Sequence, residues 1–156
     1  MTVFHIVGED KKKECSIWNV QHRSDVSIYK KKDLDKIDLK NKIILQVGAE
    51  ILSVKDCKKD LIIIDMSWRE ALKFSKRIPA EIEKRSIEGF KTAYPRTKSS
   101  TIRPDAGLRS VECMFVAKLI MNGQTDETLL DGYYFKDEFL KINKGRINKY
   151  RKLYSK

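Results

Sequence analysis

The sequence predicts an α/β fold, a mainly parallel sheet flanked by helices. Three short apolar runs, Val3–Val7, Ile43–Val47 and Leu61–Ile64, are rich in β-branched residues and bounded by polar ones. Strands covered on both faces have that appearance. Each run is followed by a turn signal or a helical pattern, so strands and helices alternate along the chain. At 156 residues and 41% hydrophobic composition the chain can bury a core, and its length is that of one domain of about 100–200 residues.

The elements follow in order. After Leu61–Ile64 comes Asp65-Met66-Ser67-Trp68-Arg69-Glu70, in which Ser67 and Glu70 have the spacing of a capping box. A helix is expected from Trp68 to about Arg77, with Pro79 beyond its end. Ile87–Tyr94 reads as a further strand interrupted by Gly89, and Pro95–Gly107 as a polar loop containing Pro104. Ser110 is the expected N-cap of an apolar helix Val111–Met121, which Asn122-Gly123 ends. Thr125 opens a last helix through about Asn143, with Leu129, Leu130, Tyr133 and Tyr134 near helical spacing. Gly145 separates it from a basic tail, so the expected division is one α/β domain over 1–143 and a tail over 144–156.

Several function classes are excluded by what the chain lacks. No apolar stretch approaches the roughly 18–20 residues of a membrane span, and Met1–Val7 lacks the charged-then-apolar pattern of a secretory signal. A cytoplasmic protein is expected. Cys15, Cys57 and Cys113 stand far apart with no CxxC pair, so neither a zinc motif nor an even disulfide framework is present. His5 and His22 lie near no Ser or Cys in a nucleophile motif, and neither GxGxxG nor a P-loop occurs.

The net charge is +11, and its location is informative. Seven Lys and Arg with no acid lie from Lys141 to the end. Five more, Lys91, Arg96, Lys98, Arg103 and Arg109, face only Asp105. These two stretches account for the whole excess. A basic excess so confined suits a polyanion, whose counterions are released on binding; a solvated, charge-rich surface is the plainer alternative. Tyr150 and Tyr154 lie among the tail's cations, where stacking on bases and simple disorder are both open.

In open α/β sheets ligands bind outside the carboxyl ends of the strands. The loops to search are therefore Gly48-Ala49-Glu50, Asp65-Met66-Ser67-Trp68 and Gly107-Leu108-Arg109-Ser110-Val111-Glu112.

Two of these loops carry a resemblance. Leu61-Ile62-Ile63-Ile64-Asp65-Met66-Ser67-Trp68-Arg69-Glu70-Ala71 resembles the signature of the DTW-domain family, a hydrophobic strand, then D-x-[T/S]-W, then a helix. Tyr94-Pro95-Arg96-Thr97-Lys98-Ser99 and Pro104-Asp105-Ala106-Gly107-Leu108-Arg109-Ser110-Val111-Glu112 resemble its second block, and Tyr133 to Asn143 its closing helix. The likeness spans about Ile43 to Asn143. Asp10-Lys11-Lys12-Lys13-Glu14-Cys15-Ser16 and the Ser of D-x-S-W echo the related branch that modifies small-subunit rRNA. The chain departs from the family in lacking an N-terminal cysteine cluster, and in having Gln46-Val47-Gly48-Ala49 where a Pro is usual.

The resemblance implies a knotted, SPOUT-like fold and transfer of the 3-amino-3-carboxypropyl group of S-adenosylmethionine to RNA, with no metal. It favours uridine in tRNA, with a uridine or pseudouridine of small-subunit rRNA as the second substrate. A non-catalytic RNA-binding or assembly factor on the same fold is the third reading, and a monomer is expected. For the cofactor it implies Val47, Gly48, Ser67, Trp68, Leu108, Ser110 and Glu112; for RNA, Lys91, Arg96, Lys98, Arg103 and Arg109. Trp68 is also readable as a core aromatic of the first turn, and Ser110 and Glu112 as capping residues. Asp65 is the catalytic candidate, with two roles open to it. It accepts the proton of uridine N3 as a base, or it holds the cofactor's ammonium group. The positive end of a helix starting at Trp68 stabilises a carboxylate there, which favours the second.

Overall fold

The computed structural model describes residues 2–8, 16–95 and 107–155. Five strands, β1 (Phe4–Gly8), β2 (Val26–Lys30), β3 (Lys42–Leu45), β4 (Asp60–Asp65) and β5 (Glu83–Arg85), form one sheet in the order β2-β1-β4-β3-β5. Every pairing is parallel. Among the described residues four helices, α1 (Trp68–Ser75), α2 (Ser110–Asn122), α3 (Lys136–Ile142) and α4 (Lys144–Tyr154), accompany short 3-10 segments.

The period-2 alternation of the strands sorts their side chains onto two covered faces. Phe4, Ile6, Ile43, Leu61 and Ile63 pack with α2, α3 and α4 through Met114, Phe115, Leu119, Phe139 and Ile147. Val7, Ile44 and Ile62 pack on the other face with Leu34, Ile37, Phe74 and Ile78. Burial on both sides explains why β1, β3 and β4 read as continuous apolar runs. α2 is apolar almost all round because it is enclosed, with Val111, Met114, Phe115, Val116, Ala117 and Leu119 all at 0% exposure.

Four expectations are corrected. Ile87–Tyr94 is no strand: Gly89 takes φ +85° and breaks the extended run, and the edge strand is Glu83–Arg85 instead. The single helix expected over Thr125–Asn143 is a 3-10 turn at Glu127–Leu130 and then α3, parted by Gly132 at φ +77°. A Cβ on Gly132 would meet the Asn19 side chain at 2.3 Å, and the left-handed backbone there favours Gly. Residues 144–154 of the expected tail are helix α4, held by buried Ile147, by Tyr150 stacked on Phe90 and by the Tyr154 hydroxyl donating to the Ile120 carbonyl. Only half of the first capping box forms. Ser67 Oγ accepts from Glu70 N at 3.2 Å, whereas the Glu70 carboxylate accepts from Lys31 Nζ at 3.0 Å. Strand β2 was not anticipated, because Val26-Ser27-Ile28-Tyr29-Lys30 is half-buried and lacks a continuous apolar run.

His5, in β1, is 8% exposed, and neither ring nitrogen has a hydrogen-bond partner. Asp60 Oδ2 is 3.8 Å away, beyond hydrogen-bond reach. Burial first, and then the Lys42 charge, push its pKa below the usual value against the pull of Asp60. The unfolded chain therefore binds the His5 proton more readily than the folded one, and this contribution to stability is present above about pH 6.5 and lost as the pH falls below it. The urea midpoint is expected to drop between pH 7.5 and 5, and His5→Leu to flatten that drop. An unchanged pH dependence in the variant would refute the assignment.

Candidate active site at the carboxyl edge of the sheet

The strand order itself points to a place. β1 connects outward to β2, whereas β4 connects past β3 to β5, so the chain diverges between β1 and β4. Ligands of open α/β sheets bind in the crevice that such a divergence leaves beyond the strand ends. Gly8 and Asp65, the last residues of the two strands, lie opposite one another there.

Asp65 stands where two helices begin. Two residues on, Ser67 caps α1. From across the sheet the first residue of α2, Ser110, donates its Oγ proton to Asp65 Oδ1 at 2.7 Å. Ser110 is thus not the N-cap; Arg109 occupies that position, and the serine hydroxyl is spent on Asp65. The unsatisfied N–H groups and positive dipole ends of α1 and α2 converge on one carboxylate and on the space beside it. Such an arrangement can bind an anionic group on backbone N–H donors and a cationic group on Asp65.

Glu112 has no exposed surface. Its carboxylate accepts from Arg109 N at 2.8 Å, Thr92 Oγ1 at 2.7 Å, Ala93 N at 2.9 Å and Tyr133 Oη at 3.1 Å. Two separate segments, Thr92–Ala93 and Tyr133, are tied by it to the start of α2. The cofactor contact implied for Glu112 is therefore not made by its own carboxylate, which is fully engaged within the protein. Burial first, and then the Glu112 charge, raise the Tyr133 hydroxyl above the usual phenol range. One residue on, burial with the Glu112 and Asp65 charges pushes the Cys113 thiol up to about 12, which makes it an inert side chain.

The other predicted residues distribute as follows. Val47, 49% exposed, and Gly48 form the turn after β3, at the same edge as Asp65, closed by Ala49 N donating to the Gln46 carbonyl at 3.3 Å. Gly48 takes φ +85°, and a Cβ placed on it meets nothing within 4 Å, so the turn opens onto free space. Leu108 is half-buried against the larger core, and Trp68 opens α1. Among the cations, Arg109 lies over the Tyr94 ring at 4.2 Å, and Lys91 is exposed with its backbone N and O both bonded to Asn143. Arg96, Lys98, Arg103 and the Asp10–Cys15 stretch lie outside the described residues.

Sequence reasoning missed Thr92, Asn143 and the role of Tyr133. In the sequence Tyr133 reads only as an apolar position, and nothing local marks a threonine or an asparagine that must serve a carboxylate or a loop from across the fold. A broad recess lined by Lys40, Lys42, Lys59, Glu81 and Glu83 lies at the amino edge of the sheet, away from Asp65. Its mixed charges and the strand topology give it no part in this site. Among the described residues no three His, Cys, Asp or Glu side chains gather as metal ligands, and no helix is long and apolar enough to cross a membrane.

The fold has a solved counterpart. The chain superposes on Tsr3 from Vulcanisaeta distributa, described as an SAM-dependent rRNA:acp-transferase, with a TM-score of 0.69 and 20% identity. The match covers 96% of this chain and 82% of that one. At that identity the likeness establishes the fold. No family model matches the chain, and no curated protein does.

Proposed function

We propose that this chain transfers the 3-amino-3-carboxypropyl group of S-adenosylmethionine to a uridine in RNA. The observation that carries the reading is Asp65, set at the topological switch point and held by the first-turn Ser110 of α2. Its support is the shared fold with an enzyme named for this transfer, together with the D-x-S-W and G-L-x-S-x-E resemblances.

The residues present fit the donor. Asp65 suits its ammonium group, and the N–H groups opening α1 and α2 suit its carboxylate. Exposed Val47 and the open space beside Gly48 suit the apolar and adenosyl portions. The sulfonium supplies an activated carbon–sulfur bond, so the protein's part is to bind, align and exclude water. The uridine nitrogen forms the new bond to carbon, the carbon–sulfur bond breaks, methylthioadenosine leaves, and the nitrogen's proton is released. In this reading Asp65 orients the ammonium end, and Ser110 fixes the carboxylate while it does so. We extend the reading to the knotted backbone that the resemblance implies. What favours it is that the chain returns after β5 to enter α2 at the carboxyl edge, beside Asp65.

The Y-P-R and G-L-x-S-x-E segments favour tRNA; the Tsr3 likeness and the serine of D-x-S-W favour small-subunit rRNA. One assay tests the function and separates the substrates. Purified protein, S-adenosylmethionine and unmodified tRNA or rRNA should yield methylthioadenosine and a uridine heavier by the aminocarboxypropyl mass. Release of S-adenosylhomocysteine would make the protein a methyltransferase instead. RNA binding with no S-adenosylmethionine binding by calorimetry would make it a binding factor. A monomer is part of the proposal, which size-exclusion chromatography with light scattering tests.

Helix α4 supplies the RNA-facing charge. Its cations Lys144, Arg146, Lys149, Arg151 and Lys152 are exposed, and among the described residues none forms an ion pair. By contrast Arg23, Lys118 and Lys59 each bond a carboxylate. Tyr150 stacks on Phe90 and the Tyr154 hydroxyl bonds the Ile120 carbonyl, so both rings are engaged with the fold while the cations of α4 face solvent. Arg146 lies against Gly89, where a Cβ would approach its guanidinium to 2.5 Å, which sets α4 beside the loop that bears Lys91. Replacing Lys149 and Lys152 together with Ala is expected to lower the slope of log affinity against log salt by roughly 1 to 2. An unchanged slope would remove α4 from the interface.

A further inference from the structure

We infer that Tyr94, Tyr134 and Phe135 form a stacking platform for an unpaired RNA base next to the reacting nucleotide. The inference rests on the RNA reading above and deepens it by assigning a subsite.

Tyr134 is 90% exposed, so the fold gains almost nothing by burying it. The ring is nevertheless not isolated. It meets Phe135 edge-on at 4.8 Å and 78°, and Phe135 meets Tyr94 edge-on at 5.7 Å and 77°. Tyr94 is itself 40% exposed and carries the Arg109 guanidinium 4.2 Å from its ring centre. Two partly open rings, a third between them and a cation make the combination that binds unstacked bases, since every base has a π-face and the cation answers its phosphate.

The position ties this surface to the site. Arg109 immediately precedes Ser110, whose hydroxyl bonds Asp65. The two halves of the platform come from segments far apart in sequence, and one buried carboxylate joins them. Glu112 accepts from Ala93 N beside Tyr94 and from Tyr133 Oη beside Tyr134. The two chain segments that carry the rings are therefore anchored to α2, whose first residue bonds Asp65. A protein partner would call for a wider apolar face; here a guanidinium, that of Arg109, lies among the rings, which suits a nucleic acid.

The test uses the intact chain and a nine-nucleotide oligouridylate carrying one 2-aminopurine, whose fluorescence is quenched on stacking. Wild-type protein should quench it on binding. Tyr134→Ala should lose most of the quenching and bind roughly 5- to 100-fold more weakly, the range set by one lost base–ring stack. Tyr134→Phe should retain both. Because Tyr134 is so exposed, its replacement leaves the packed interior intact, as a circular dichroism spectrum would confirm. Quenching and affinity in Tyr134→Ala equal to wild type would overturn the inference. The oligonucleotide needs no methionine donor, so the two readings fail separately. Transfer activity with an unaffected Tyr134→Ala defeats the platform alone, whereas Tyr134-dependent quenching without transfer defeats the transferase alone.

Discussion

Asp65→Ala is expected to lower kcat/KM for aminocarboxypropyl transfer by at least about 100-fold while leaving RNA affinity within about twofold. The magnitude follows from what the residue does in the proposed site. Aligning nitrogen, carbon and sulfur is the demanding part of the reaction, and loss of one orienting charge commonly costs two or more orders of magnitude. RNA affinity is spared because the exposed cations lie elsewhere, on α4 and at Lys91, with half-buried Arg109 over Tyr94. Methylthioadenosine release and filter binding, measured on the same preparation, read the two effects. Asp65→Asn separates charge from hydrogen bonding, since an amide carbonyl can still accept from Ser110. Transfer surviving in Asp65→Asn but not in Asp65→Ala would show that the Ser110 contact, rather than the charge, is the requirement. Full turnover in Asp65→Ala would remove the residue from the site altogether.

The second large effect is on stability. Glu112→Gln is expected to destabilise the protein by about 3–5 kcal/mol, because four donors converge on a carboxylate with no exposed surface. A glutamine amide group would turn two further donors toward that cluster, leaving buried N–H groups facing one another. Urea unfolding at pH 7.5 measures the loss, and a change below about 1 kcal/mol would contradict the role assigned. The Tyr133 hydroxyl gives an independent readout. Its raised pKa owes part of its shift to the Glu112 charge, so its ultraviolet titration should move down toward the ordinary phenol range in Glu112→Gln. A merely general loosening of the fold would expose all the tyrosines together rather than shift this one within a folded protein.

The two variants differ in kind although Ser110, at the start of the helix that holds Glu112, bonds Asp65 directly. Asp65 is half-buried at the mouth of a crevice, where its removal costs function. Glu112 is sealed in the interior, where its removal costs the arrangement of Thr92, Ala93, Arg109 and Tyr133. The sequence pattern S-x-E at the start of α2 looks like simple capping, and for the Arg109 N–H it is. The Ser110 hydroxyl and the other three Glu112 contacts are tertiary.

What the sequence by itself determined is whatever local periodicity and burial control. The apolar runs of β1, β3 and β4 are visible because each strand is covered on both faces, and α2 is visible because Gly123, at φ +72°, ends an enclosed apolar helix. The stop signals for α1 and the location of the charge are local in the same sense. Strand β2 escaped because half-exposed strands carry no run, and α4 because its cations hid the stripe of Ile147, Tyr150 and Tyr154 that packs inward. The strand order, the meeting of Ser110 with Asp65 across 45 residues, and the gathering of Ala93 and Tyr133 on Glu112 were decided only in the tertiary structure. A hydrogen-bonding side chain carries no sequence record of a partner far along the chain. Its bond exists only once packing of the apolar faces has brought the two segments together and excluded water from between them.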